Sequence, residues 1–108
     1  MSIKQGLIKA RARIQNPDHW TQEYLARNAQ GEATNACSSE ACCWCALGAT
    51  EWAAEVMGMS ESGLIAQLRD TLRTLVPDPH PYIGDFNDSR THFEVLKLFD
   101  MAIENAQS

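Results

Sequence analysis

Cys42-Cys43-Trp44-Cys45 sets two thiols in the C-x-x-C spacing, and a thiol near a helix N-terminus gains thiolate character from the helix dipole. That is the arrangement of a redox dithiol. No strand-helix-strand pattern surrounds it, however, and Cys45 falls on an apolar stripe with Gly48 and Trp52, so buried or incidental thiols are the simpler reading. Cys37, Cys42 or Cys43, and Cys45 also offer zinc-ligand chemistry, with His19, His80 or His92 as a fourth group. Their spacing matches no common finger or ribbon. A third chemistry would make Cys45 a nucleophile, His92 its base and Asn87 or Asp88 the orienting group for acyl transfer. Cys45 lacks an adjacent glycine-rich loop to form an oxyanion hole. The sequence therefore assigns no catalytic residue, no metal ligand and no cofactor.

A second constellation suits binding. Trp20, Tyr24, Arg27, Trp44, Asn87, Asp88, Arg90 and His92 would make an aromatic-walled pocket if the segment before the last helix meets the Trp20 segment. A nucleotide or similar ligand could stack there. The competing reading keeps both tryptophans in the core and uses the polar residues to order loops.

The elements that must position these residues are mainly helical: a bundle of about four helices in a single domain, residues 1–108, with a short β-hairpin near residues 20–34. Ser2 caps a first helix over roughly residues 3–15, in which Ile3, Leu7, Ala10 and Ile14 follow the helical period until Asn16-Pro17 ends it. Trp20, Gln22, Tyr24 and Ala26 alternate with polar positions, and Asn28-Ala29-Gln30-Gly31 has the chemistry of a type I turn closed by a left-handed glycine. A helix capped by Asp18 is the rival there.

Ser38 or Ser39 caps a second helix that runs to about Met57 and stops at Gly58, its stripe being Ala41, Cys45, Gly48, Trp52 and Val56. Gly48 and Ala49 lack bulk, so another element can approach closely there. A third helix, capped by Ser60 or Ser62, presents Leu64, Ile65, Leu68, Leu72, Leu75 and Val76 before Pro77. Residues 77–88, with Pro77, Pro79 and Pro81, read as an extended loop carrying Tyr82, Ile83 and Phe86 across the core. Thr91-His92-Phe93-Glu94 is a capping box, and Val95, Leu98, Phe99, Ala102, Ile103 and Ala106 make the inward face of the last helix.

Composition narrows the function classes. Net charge is −5, divided into +3 over residues 1–27 and −8 over the remainder. An acidic body disfavours nucleic acid, which needs clustered Lys and Arg; the basic first helix is read as a solvated face paired with the acidic body or another subunit. The longest uncharged stretch, Ala41 to Thr50, is far below the roughly 20 residues of a membrane span. Residues 1–16 have no continuous apolar core or cleavage site, so the expected location is cytoplasmic.

Taken in order, His19-Trp20-Thr21-Gln22, Ala26-Arg27, Gly31, Trp44-Cys45-Ala46-Leu47-Gly48-Ala49, Asn87-Asp88 and Thr91-His92-Phe93-Glu94-Val95-Leu96 resemble a small uncharacterised bacterial and bacteriophage family, a domain of unknown function. The resemblance covers most of residues 18–106. It implies a compact domain carried on bacterial chromosomes, prophages or other mobile DNA, with no activity to transfer. It also implies that Cys45 is the family's cysteine and that Cys37, Cys42 and Cys43 are additions. The function expected is a non-enzymatic accessory binding protein of mobile or phage DNA, acting on a host protein or a small nucleotide-like molecule. A small redox protein or hydrolase using Cys42 or Cys45 is the alternative. A homodimer is expected if Trp52, Met57 and Met59 leave an apolar patch to cover.

Overall fold

Helical periodicity and one short sheet share the chain. The computed structural model describes residues 3–58, 63–77 and 82–106. The elements are helices α1 (Ile3–Ile14), α2 (Ala46–Val56), α3 (Leu64–Arg73), α4 (Ile83–Ser89) and α5 (His92–Asn105), with strands β1 (Ala26–Arg27), β2 (Ala33–Thr34) and β3 (Cys43–Trp44). The mainly α class is as expected. Ser2, Met59, Ser60, Ser62, Pro79, His80 and Pro81 lie outside the described residues.

α1 is the central helix, packed against α2, α3 and α5. Its Leu7, Ala10 and Ile14 are fully buried beside Leu68 and Leu72 of α3 and Val95, Phe99 and Ala102 of α5. Full burial of each large side chain contributes about 1.5–3 kcal/mol before entropy is charged against it. Asn16 ends the helix as expected: its side chain accepts from Asp18 N, and Pro17–His19 makes a 3-10 turn. The capping box at α5 is complete. Thr91 Oγ1 accepts from Glu94 N at 3.2 Å while Glu94 Oε1 accepts from Thr91 N at 3.3 Å. Those bonds from Thr91, with Arg90 nearby, hold the Glu94 carboxyl below its ordinary value. Among the described residues no helix is long and apolar enough to cross a membrane.

The hairpin forms where the turn chemistry places it. Ala26 pairs with Thr34 and Arg27 with Ala33; Asn28 Oδ1 accepts from Gln30 N and Glu32 N, and Gly31 takes the left-handed φ of 81°. Trp20 to Tyr24 stay outside it.

Two further segments differ from expectation. The second helix begins at Ala46 rather than at Ser38 or Ser39, because the residues before it join β1 as a third antiparallel strand in the order β2-β1-β3. Cys42 N donates to Arg27 O at 2.8 Å and Cys45 N to Leu25 O at 3.1 Å, so these amides find partners in the sheet. Ala41 therefore lies off the α2 stripe, and Val56, at its other end, is 51% exposed. The second difference is α4, within the stretch expected to be extended. Beyond the prolines, Ile83, Phe86 and Asn87 are spaced for one helical face and all three are buried.

Gly48 fixes how closely α2 meets the strand. A Cβ there would overlap the Leu25 carbonyl oxygen and stand 2.9 Å from its carbon. Gly48→Ala gains up to about 1 kcal/mol of helix propensity. We expect it nonetheless to lower stability by roughly 3 kcal/mol or more, because rigid backbone must move. Urea denaturation measures this, and a loss below about 1 kcal/mol would show that the Leu25 backbone yields freely.

Candidate functional site

The Trp20 segment and the end of α4 do meet, and Asn87 joins them. Its Oδ1 accepts from the Trp20 indole Nε1 at 2.8 Å and from Ala46 N, the first amide of α2, at 3.0 Å. Its Nδ2 donates to Thr21 O at 3.0 Å and Asp88 Oδ1 at 3.2 Å. Two acceptor sites and two donor hydrogens are thus all used by a side chain that is 0% exposed. Neighbouring groups extend the junction. Gln22 Nε2 lies 3.0 to 3.2 Å from the carbonyl oxygens of Asn87, Asp88 and Arg90, serving the C-terminal end of α4. Asp88 Oδ1 also accepts from Glu23 N at 2.7 Å, where Glu23 takes a positive φ of 76°.

Arg27 braces the same loop from the hairpin. Its Nε donates to Thr21 Oγ1 at 2.8 Å, its Nη1 to Gly31 O at 2.9 Å and its Nη2 to Gln22 O at 3.3 Å, with the guanidinium 4.5 Å from the Tyr24 ring centroid. His92 packs its ring 5.4 Å from Trp20 and approaches Ile14 O to 2.6 Å through Nε2. A carbonyl only accepts, so Nε2 carries the proton. Arg90 lies over Phe86 and pairs with Glu94 at 3.6 Å.

Trp44 has other neighbours. Its indole donates to Ala36 O at 2.7 Å, and its ring lies 6.2 Å from Trp52 with the Arg13 guanidinium 4.5 Å above it. Of the eight residues the sequence singles out, Trp20, Asn87, Asp88 and His92 meet directly, Arg27 and Tyr24 flank them, and Trp44 and Arg90 join through their backbone carbonyls, which accept from Thr21 N and Gln22 Nε2, while their side chains face different partners. What they build is a hydrogen-bonded junction.

The thiols are dispersed by role. Cys45 is the N-cap of α2, its sulfur accepting from Gly48 N at 3.3 Å, and burial pushes the thiol up from its ordinary value. A thiol kept protonated is a poor nucleophile. Cys43 lies in β3, whereas Cys37 and Cys42 are exposed. All four are free, and among the described residues no three His, Cys, Asp or Glu side chains are grouped to hold a metal ion.

Open surface lies beside the junction. A cleft of about 320 Å³ between α2, α3 and α4 is lined by Leu47, Ala66, Arg69, Arg73, Tyr82 and Gly84 among others. A smaller one of about 140 Å³ shares Leu47 and Gly84 and reaches Tyr24, Cys45 and Asp88. Sequence reasoning missed Arg69, Arg73, Tyr82 and Gly84. The i,i+4 spacing of the two arginines was the only signal available, and reading residues 77–88 as a loop hid the rest.

Asn87→Ala would strand the Trp20 indole, the Ala46 amide and the Thr21 carbonyl together. Its expected cost is about 2–4 kcal/mol, with Trp20→Phe costing less because the aromatic ring remains. Denaturant titration of the two variants checks the order; equal or trivial losses would show that the junction is not what joins these segments.

No curated protein and no solved structure matches the chain. The family comparison is informative, because its match runs over residues 1–105. The chain accordingly belongs to DUF6197, a family of unknown function.

Proposed function

We propose that the protein is a non-enzymatic accessory binding protein of bacterial mobile or phage DNA, acting on a host protein or a small nucleotide-like molecule. The observation that carries this reading is the internal use of Asn87 and Cys45, with His92 held beside them. Asn87 has every hydrogen-bonding position filled, His92 is bonded to the α1 backbone, and the Cys45 thiol caps α2. The nucleophile and the orienting amide of the acyl-transfer set are thus spent on the fold, whereas that chemistry needs them turned to a substrate.

The surface chemistry supports binding. Tyr82 is 62% exposed and Tyr24 46%, and arginine and tyrosine are the residue types that anchor interfaces. The cations of α1 are partly committed within the fold: Arg11 pairs with Asp100 of α5 at 2.6 Å, and Arg13 stacks on Trp44 and Trp52. That supports a reading without nucleic acid as partner. A homodimer belongs to the same proposal, with the exposed Val56 beside Trp52 and Met57 as the apolar patch to be covered.

Native mass spectra of freshly purified protein, first gentle and then denaturing, test this together with timed thiol labelling. The expected outcome is added mass from a small molecule or partner polypeptide. Cys37 and Cys42 should label quickly and Cys45 only on unfolding. Rapid native labelling of Cys45, with turnover of an acyl or disulfide substrate abolished by Cys45→Ser, would replace binding by catalysis.

A further inference from the structure

The geometry points to a phosphorylated aromatic small molecule, of the mononucleotide class, as the ligand of the cleft between α2, α3 and α4. The phosphate would sit on Arg69 and Arg73 and the ring on Tyr82. This deepens the small-ligand branch of the proposed function and rests on it.

Arg69 and Arg73 are one turn apart on α3, separated by about 6 Å along the axis and on the same face. Both line the cleft and keep 45% and 53% of their side chains exposed. Each has a carboxylate nearby but is not saturated by it. Arg73 Nη2 meets a single oxygen of Asp70 at 3.1 Å, and Arg69 stands 3.8 Å from Glu51 Oε1, beyond hydrogen-bond range. A guanidinium carries five N–H donors, so each has further donors to give. Asp70 also lines the cleft, so an anion must draw Arg73 away from that carboxylate. A phosphate, carrying close to two negative charges and three strong acceptor oxygens, competes for both arginines at once.

The remaining wall suits a ring. Tyr82, at the N-cap of α4, presents an exposed aromatic face on which a base can stack. Leu47, Ala66 and Ile83 give apolar sides. Gly84 leaves the floor bare: a Cβ there would meet nothing within 4 Å. The volume of about 320 Å³ lies in the range of small-molecule sites.

Calorimetric titration of the full chain with AMP, GMP, adenosine, inorganic phosphate and a short single-stranded oligonucleotide tests the assignment. AMP or GMP should bind saturably, adenosine at least about tenfold more weakly, and inorganic phosphate should compete. Arg69→Gln with Arg73→Gln should weaken AMP by about tenfold or more, and Tyr82→Ala by a similar factor. Gly84→Leu is the decisive variant. It fills the floor while improving helix propensity, so thermal melting should show a fold at least as stable as the parent, with AMP binding lost. Absence of saturable AMP and GMP binding at millimolar concentration, binding that survives Gly84→Leu, or an oligonucleotide that binds where mononucleotides do not would each overturn the proposal. If mononucleotides fail while native spectra still carry a partner polypeptide, only the nucleotide site falls. If Cys45 proves catalytic, the broader binding reading falls with it.

Discussion

One buried carboxamide holds together three segments that are remote in sequence. Asn87 closes hydrogen bonds to the Trp20 indole, the Thr21 carbonyl and the first amide of α2, so the loop after α1, the start of α2 and the end of α4 share a single anchor. Each bond alone would contribute about 0.5–1.5 kcal/mol. Their joint effect is greater, because in a dry site every group left unpaired is charged its full desolvation cost. Gln22 and Asp88 extend the same logic outward. They occupy backbone groups that the short α4 and the left-handed turn at Glu23 cannot satisfy internally. Between residues 20 and 25, beyond the backbone bridge of Trp20 to Trp44, side chains from the far end of the sequence and from Arg27 supply order.

The helix that begins at this anchor is also shaped by the backbone that leads into β1. Leu25 O accepts from Cys45 N and lies so close to Gly48 that any larger residue would collide with it. Cys45 then caps the helix with sulfur, a weak acceptor that tolerates burial better than a hydroxyl left short of partners. Cysteine at this position is accounted for by packing and capping without reactivity. The same close approach explains why Gly48 sits in a helix interior, where it costs propensity.

What could be read from residues alone follows the range of the interactions. The α5 capping box, the Asn28 to Gly31 turn and the α1 stripe are local patterns, and each forms where its residues dictate. Cys42 to Trp44 has no such local determinant: serines before it suggest a cap, and only the exposed edge of β1 makes a strand the better use of its amides. α4 was hidden by the prolines preceding it, although Ile83 and Phe86 already have helical spacing. For the site, Trp20, Asn87, Asp88 and His92 were recognisable as belonging together. Their role was not, because whether an asparagine binds a ligand or the protein's own backbone depends on contacts 41 to 67 residues away.

That distinction bears on where function can reside. Polar side chains usually attract attention by type, and here the most suggestive ones are fully occupied within the fold. A group with filled hydrogen-bonding capacity can serve a ligand only if it first gives up a native bond, at a cost comparable to what a new bond returns. Residues that keep unused capacity are different: Arg69 and Arg73 have donors beyond those their carboxylate neighbours take, and Tyr82 has an uncovered ring. They stand on α3 and at the cap of α4, outside the hydrogen-bond network of Asn87. The division places filled hydrogen-bonding groups in the junction and unfilled donors on the face beside it.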